Sequence, residues 1–389
     1  MKKKFVCLAL GAMMALSMTA CSGGSNQSAA ANGNGGATNQ DTPVADTSNT
    51  DTIEVGVVLP TKDEPRWIQD QGKFEEILGQ SGVTNQVLFS QGSSATEKSN
   101  VETLIAKGIK VLIICAQDAS AASAAVEEAK AAGVTVIAYD RLITGTDAVD
   151  YYVTFDSVAV GEAMGQFLTD KATGTGNPLY LYAGAATDNN AFLFFEGAWN
   201  ILQPKIADGT FIIKNSSEAE KLKDLPTLTR DQEAAIIGQV TTDWDFNVAK
   251  SKAEAHLTAL SAEDKGEVFV LAPNDGTSRS IADVFATDPD VSNYFITGQD
   301  SEIASIQYII DGKQSMTVFK DTRTLASDSV EMAKAILNGE TIETDASYNN
   351  GNVDVPSKQT PVVVVTKDNV NEALIDSGYY EASQFTGLN

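Results

Sequence analysis

From Ile53 onward, short apolar runs alternate with longer stretches in which apolar positions recur at helical spacing. "IEVGVVLP", "QVLFSQ", "VLIICAQ", "VTVIAYD" and "YYVTFD" have strand length and character, and the Ala/Glu/Lys-rich stretches around 66–80, 95–107 and 120–132 read as helices linking the first four. Strands alternating with crossover helices predict a parallel, doubly wound sheet. After Asp156 the rhythm restarts: a helix near 157–171, "PLYLYAG", a helix near 191–206, "FIIKNS", a helix near 245–260, "EVFVLAP", a helix near 277–287, and "YFITGQD". The fold class is therefore α/β, with two doubly wound parallel-sheet lobes. Between Lys214 and Thr242 a polar stretch containing "KLKDLPTLTRDQ" interrupts the second lobe as an excursion to which no chemistry can be assigned. "SMTVFKD", a helix near 324–338 and a last strand in "PVVVV" complete the pattern.

The pattern before Ile53 differs. Lys2-Lys3-Lys4 precede an apolar run from Phe5 to Leu16, which contains Cys7, and small residues in "SMTAC" follow. A basic start, a short apolar core and small residues at the break describe a secretory signal over 1–21 rather than a spanning helix. The ending resembles a bacterial lipobox, with Met18 where that motif usually has Leu, and implies lipidation of Cys21. Residues 22–51 are Gly, Ser, Asn, Ala, Thr, Gln and Asp with almost nothing apolar, so they are expected to form a flexible tether reaching roughly 30 Å. A lipid followed by a tether implies a body held just off a membrane, outside the cytoplasm.

Composition narrows the partners. The net charge of -25 argues against nucleic acid or an anionic membrane surface, both of which require basic patches. At 389 residues the chain is long enough for two cores. Cys115, in "VLIICA", is the one cysteine of the folded body; it has no basic neighbour in sequence and reads as a small buried hydrophobe.

The candidate chemistry lies just after the strands, where open α/β sheets place their ligand crevice. In Val136–Ile143, "VIAYDRLI", an apolar run ends in Asp140 and Arg141, an acceptor and a forked donor able to grip vicinal hydroxyls. The first strand is followed by Arg66 and Trp67. In the second half come Asp188 with Asn189 and Asn190, then Trp244, Asn274 beside Asp275, Asp300, and Lys320. Carboxylates, carboxamides, cations and indoles recurring at successive strand ends are a kit for a small polyol. Singly, several have plain structural readings: Asp188-Asn189-Asn190 as a helix cap, Asn274-Asp275-Gly276 as a turn, Asp300 and Lys320 as solvated charges, and Trp199 in "GAWNIL" as core.

"PTKxxxRWxxD", "VIAYDRLI", "YYVTFD", "DNNAF", "TGQD" and "FKDTR", in this order over about residues 53–389, resemble the xylose-binding and multiple-sugar receptors of the class I bacterial periplasmic binding proteins. The resemblance implies a type I periplasmic binding protein: two lobes joined by a three-stranded hinge, closing on one aldose of xylose, glucose or galactose type and delivering it to ABC permease subunits. It implies no cofactor and no metal, and the molecule is expected to be a monomer. Carried over by motif, Arg66 and Trp67 are a first-lobe contact and an aromatic wall, and Asp140 with Arg141 are paired hydroxyl contacts. Asp188 and Asn190 are a second-lobe acceptor and amide, Trp244 a stacking indole, Asn274 an amide contact, and Asp300 and Lys320 a hinge-side acid and base. Gln117-Asp118 stands where sugar preference is expected to be set. The expected division is 52–155 with 321–352 for the N-terminal lobe and 156–320 with 353–389 for the C-terminal lobe.

Other classes remain open. A glycosidase could use the cleft carboxylates, but the single His256 lies mid-helix in "AEAHLTAL", and no GxGxxG or GKS/T motif follows a strand. "DPDVSN" (Asp288, Asp290, Asn293) lacks the spacing of a full calcium loop. A sensor that reports a sugar or autoinducer to a signalling system would use the same fold and cleft. A transcriptional repressor would not begin with a signal segment and would carry a basic headpiece.

Overall fold

A computed structural model describes residues 52–388. The signal, the tether and Cys21 lie outside them. Among the described residues, no helix is long and apolar enough to cross a membrane.

The first sheet is built from β1 (Val55–Leu59), β2 (Asn85–Phe89), β3 (Val111–Ile114), β4 (Thr135–Tyr139) and β5 (Tyr151–Phe155), in the spatial order β2-β1-β3-β4-β5, all parallel. Helices α1 (Pro65–Ser81), α2 (Ser94–Ala106) and α3 (Ser123–Ala131) make the crossovers. Side chains alternate along each strand, so β1 sends Val55, Val57 and Leu59 to one face and Val58 to the other. The first face packs on Trp67, Phe74 and Leu78 of α1 and on Leu325 and Val330; the second packs on Val101, Leu104, Ala125 and Val126 of α2 and α3.

The second sheet has the order β7-β6-β8-β9, from β6 (Asn177–Leu181), β7 (Phe211–Ile213), β8 (Gly266–Leu271) and β9 (Val291–Ile296), again all parallel. Around it lie α4 (Ser157–Lys171), α5 (Asn189–Ala207), α8 (Phe246–Thr258) and α9 (Asp275–Phe285). The polar excursion folds into α6 (Ser217–Leu222) and α7 (Arg230–Val240), the latter started by a Thr229/Gln232 capping box. It is docked onto α5: the Trp199 indole N–H donates to the Leu225 carbonyl at 3.0 Å and the Gln203 amide to the Lys223 carbonyl at 2.7 Å. Trp199 is core, as expected, and its N–H meets the requirement that a buried indole find a partner.

The chain then runs through α10 (Ile303–Ile310), β10 (Thr317–Phe319) and α11 (Thr322–Asn338), which returns to the first lobe and packs beside α1. The polar edge strand β11 (Ala346–Asn349) pairs with β12 (Asp354–Thr360), and β12 lies parallel to β5 in the first sheet. This corrects the expected division: 354–360 is first-sheet backbone, and only after Thr360 does the chain cross to β13 (Val363–Val365), which pairs antiparallel with β10. The chain passes between the sheets after β5, after β10 and after β12, so three crossings join the lobes.

Backbone contact between α4 and α5 shapes the second lobe. A Cβ on Gly161 would stand 2.0 Å from the Phe194 carbonyl oxygen, and one on Gly197 would stand 2.0 Å from that of Val158. Only glycine allows this approach. We therefore expect Gly197→Ala to force the helices apart at a cost of about 1–3 kcal/mol or more, the usual range for overpacking. Gly72→Ala, in α1 where an added Cβ meets nothing within 4 Å, should stabilise by about 0.5–1 kcal/mol. Thermal melts of the two variants check the opposite signs.

Candidate functional site

Each site residue is held where a strand ends or a helix begins. Pro65 at the first position of α1 has no N–H to leave unsatisfied, and it sets Arg66 and Trp67 in the first turn. Asp188 caps α5 by accepting from the Asn190 N–H at 2.9 Å, and Asn274 caps α9 by accepting from the Thr277 N–H at 3.3 Å. The reading of Asp188 as a cap is correct, Asn274 caps a helix where the sequence suggested a turn, and both also line the central cavity.

That cavity lies between the lobes and holds about 290 Å³ of empty space, counting the solvent it opens to. All ten contacts carried over by motif line it: Arg66, Trp67, Asp140, Arg141, Asp188, Asn190, Trp244, Asn274, Asp300 and Lys320. All are buried. Glu64, Phe194 and Gln299 complete the lining and were not singled out. Gln299 stood in the quoted "TGQD" with only its neighbour chosen, and Phe194 lies one helical turn after Asn190, on the same face. Glu64 offered no comparable signal. Gln117, expected to set sugar preference, lines an outer space instead, and the Asp118 carboxylate is occupied by the Ser120 and Ala121 N–H groups of a turn, each at 2.9 Å.

The charges form two chains. Arg66 pairs with Asp70 on its own helix at 2.5 Å, with Asp140 at 3.0 Å and with Asp300 of the second lobe at 3.3 Å; Lys320 meets Asp300 at 2.9 Å. Arg141 pairs with Asp188 of the second lobe at 2.9 Å and with Glu64 at 3.4 Å. Burial alone would lower the Arg66 pKa, but its carboxylates outweigh burial and hold the guanidinium well above its usual value. Burial would raise Asp140, yet Arg66, Lys320 and Arg141 together leave it below the ordinary carboxylate range. Burial pushes Glu64 up, because Arg141 offsets only part of that effect.

The backbone at the cavity is strained in a specific way. Asp140, Trp244 and Asp300 have φ of 61°, 59° and 97°, left-handed values that non-glycine residues seldom adopt. At Asp140 the Arg141 N–H donates to the Tyr139 carbonyl at 2.6 Å, closing a γ-turn of the strained positive-φ form. Three donors hold that turn through the Asp140 carbonyl: the Tyr152 hydroxyl at 2.7 Å, the Asn190 amide at 2.8 Å and the Thr154 hydroxyl at 3.2 Å. Trp244 is set edge-on to Phe194 and packs against Gly184, where a Cβ would stand 2.0 Å from the ring. The indole N–H of Trp244 and the amide oxygen of Gln299 are buried without a protein partner.

A family model described as the periplasmic binding protein domain matches residues 55–341. The chain belongs to the periplasmic binding protein family. Its fold, two parallel α/β lobes joined by three crossings, is the type I fold of these proteins. This periplasmic binding protein is 34% identical over 345 residues, covering 86% of this chain and 92% of the relative, to the multiple sugar-binding periplasmic protein of Azospirillum brasilense. It is 29% identical to the D-xylose-binding periplasmic protein of Escherichia coli, covering 85% and 92% of the two chains. A carbohydrate transporter solute-binding protein from Chloroflexus aurantiacus, solved in complex with D-glucose, superposes with a TM-score of 0.86 at 68% identity, covering 87% of this chain and 99% of that one.

Two other sequence features lie away from the site. His256 is half-buried on α8, with Nδ1 3.0 Å from the Tyr182 hydroxyl, and burial lowers its pKa to about 4. Asp288 and Asp290 of "DPDVSN" are gripped by Lys265 at 2.8 and 3.6 Å.

Glu97 supplies a test of how the cleft is supported. Its buried carboxylate accepts from the Gln117 N–H at 2.7 Å and the Ser90 hydroxyl at 3.3 Å, and burial raises its pKa to about 7 against hydrogen bonds that lower it. The unfolded chain loses this proton near the ordinary value of 4.5, so the folded state binds more protons in between and stability falls as pH rises from about 4.5 through 7. We expect Glu97→Gln to flatten the melting temperature between pH 5 and pH 8 relative to the parent, removing at most about 3 kcal/mol of pH dependence. Parallel melts across that range check it.

Proposed function

We propose that this protein captures one neutral aldopyranose of xylose, glucose or galactose type between its lobes and delivers it to the permease of an ABC importer, tethered to the membrane by a lipid on Cys21. The observation that carries the reading is the convergence of buried carboxylates, carboxamides, guanidinium groups and indoles from both lobes on one cavity. Asp140, Asp188, Asn190, Asn274 and Asp300 serve the hydroxyls, with Arg66, Arg141 and Lys320 as donors, and Trp67 and Trp244 face the C–H surfaces of the ring. The likeness to sugar-binding relatives and to a glucose complex supports the same assignment.

The charge balance favours a neutral ligand. Against Arg66, Arg141 and Lys320 stand Glu64, Asp70, Asp140, Asp188 and Asp300, so a sugar phosphate or uronate would add negative charge to a site already rich in it. Ligand bridging the lobes shifts the population toward the closed state by its differential contacts alone. Closure also joins backbone to backbone, since the Ala119 N–H donates to the Thr187 carbonyl at 2.9 Å.

Titration calorimetry against xylose, glucose, galactose, arabinose and ribose is the direct test. We expect one-to-one binding to at least one of them, a micromolar complex corresponding to about -8 kcal/mol. No heat with any, or hydrolysis of a glycoside offered instead, would overturn the receptor reading. Trp244→Ala should cost about 2 kcal/mol, near 30-fold in affinity, as a buried aromatic anchor does. Gly184→Ala should weaken the same sugar by about tenfold, because the added methyl displaces the indole without touching the ligand.

A further inference from the structure

The central cavity opens to one side. Next to it the cleft widens into a vestibule with about 1330 Å³ of empty space, lined by Thr61, Asp63 and Gln117 from the first lobe and by Thr187, Phe246 and Asn247 from the second. Glu64, Arg141 and Trp244 line both spaces, so they form the wall at which the two meet.

That wall is built with care at Trp244. Asp243 and Trp244 are consecutive non-glycine residues with φ of 52° and 59°. Two adjacent left-handed residues are costly, and they persist only where surrounding structure over-determines them. Gly184 behind the ring fixes its plane, and the Trp244 N–H is buried with no protein partner. The vestibule continues the chemistry of the inner site: hydroxyls, the carboxylates of Asp63, Asp243 and Asp245, carboxamides and an aromatic ring. Phe246 is itself held in place, since a Cβ on Gly276 would stand 2.1 Å from its ring. An aromatic plane amid short polar side chains suits a second pyranose, whose C–H face is apolar and whose rim is not.

We infer that the protein binds disaccharides, with a terminal pyranose in the inner cavity and the glycosidically linked second ring in the vestibule. The linkage then passes between Glu64, Arg141 and Trp244. The inference rests on the reading of the inner cavity as an aldopyranose site and extends its substrate class.

The test is calorimetry on the purified full-length chain with D-glucose and D-xylose and with maltose, cellobiose, lactose and xylobiose, in parallel with Asn247→Ala and Thr187→Trp. Asn247 and Thr187 line only the vestibule and are exposed, and the Thr187 carbonyl that accepts from Ala119 is retained in the tryptophan variant. At least one disaccharide should bind within about tenfold of its own monosaccharide, or bind where the monosaccharide does not, and should compete with any monosaccharide that binds. Thr187→Trp, which fills the vestibule, should weaken the disaccharide by about tenfold or more, and Asn247→Ala by about threefold, with monosaccharide affinity unchanged in both. Monosaccharide binding with every disaccharide at least about 100-fold weaker would overturn the inference while leaving the receptor reading intact. So would disaccharide binding that Thr187→Trp leaves unchanged. Binding of neither class would remove both.

Discussion

The whole cleft depends on how one guanidinium is kept out of water. Arg66 is only 3% exposed, and a buried charge is tolerated only when it is paired and hydrogen-bonded. Its partners come from three places: Asp70 one turn further along α1, Asp140 at the end of β4, and Asp300 from the second lobe. Asp70 is fixed in turn by the Tyr139 hydroxyl. Removing the guanidinium would leave carboxylates facing one another, so the strand ends, the helix start and the position of the second lobe follow from one requirement.

The pairing is arranged so that the lobes can part. If Arg66 and Asp300 separate, Arg66 keeps Asp70 and Asp140 within its lobe, and Asp300 keeps Lys320 at the crossing. If Arg141 and Asp188 separate, Arg141 keeps Glu64 and the Ala116 carbonyl, and Asp188 keeps its cap to the Asn190 N–H. Parting the lobes would therefore strand no ion, and the charges themselves would oppose opening less than unshared pairs would.

Much of this was readable in the sequence, for a physical reason. Strands buried on both faces must be continuous apolar runs, and a ligand site outside their ends must be polar, so the change from "VIAY" to Asp140 and Arg141 marks both the element and the site. What escaped lacks that contrast. The edge strand β11 reads "ASYN", with a partner on one side only and little apolar alternation. The eight residues of α10, "IASIQYII", are mostly apolar and too few to show a helical period. The crossing comes after β12, later than the sequence suggests, because the mostly polar residues of "DVPSKQT" give no sign of pairing with β5. Gly184 matters only because the ring of Trp244, sixty residues away, lies on it, and no local pattern encodes a contact of that span.

The polar excursion shows the same principle from the other side. As sequence it had no assignable chemistry, and none of its own side chains reaches the central cavity. Its work is positional. Trp199 and Gln203 pin its loop to α5, α7 runs back alongside, and immediately after α7 the backbone bridges Thr241 to Ala183. The Thr242 N–H then donates to the Ala183 carbonyl at 2.7 Å and the Thr241 hydroxyl to the Gly184 carbonyl at 2.7 Å. These bonds anchor the chain on both sides of the glycine over which the indole lies, and they hold the strained turn at Asp243 and Trp244. A left-handed tryptophan could not hold its place at the end of a free loop, so a long insertion with its own core contact is what makes a rigid aromatic wall possible there.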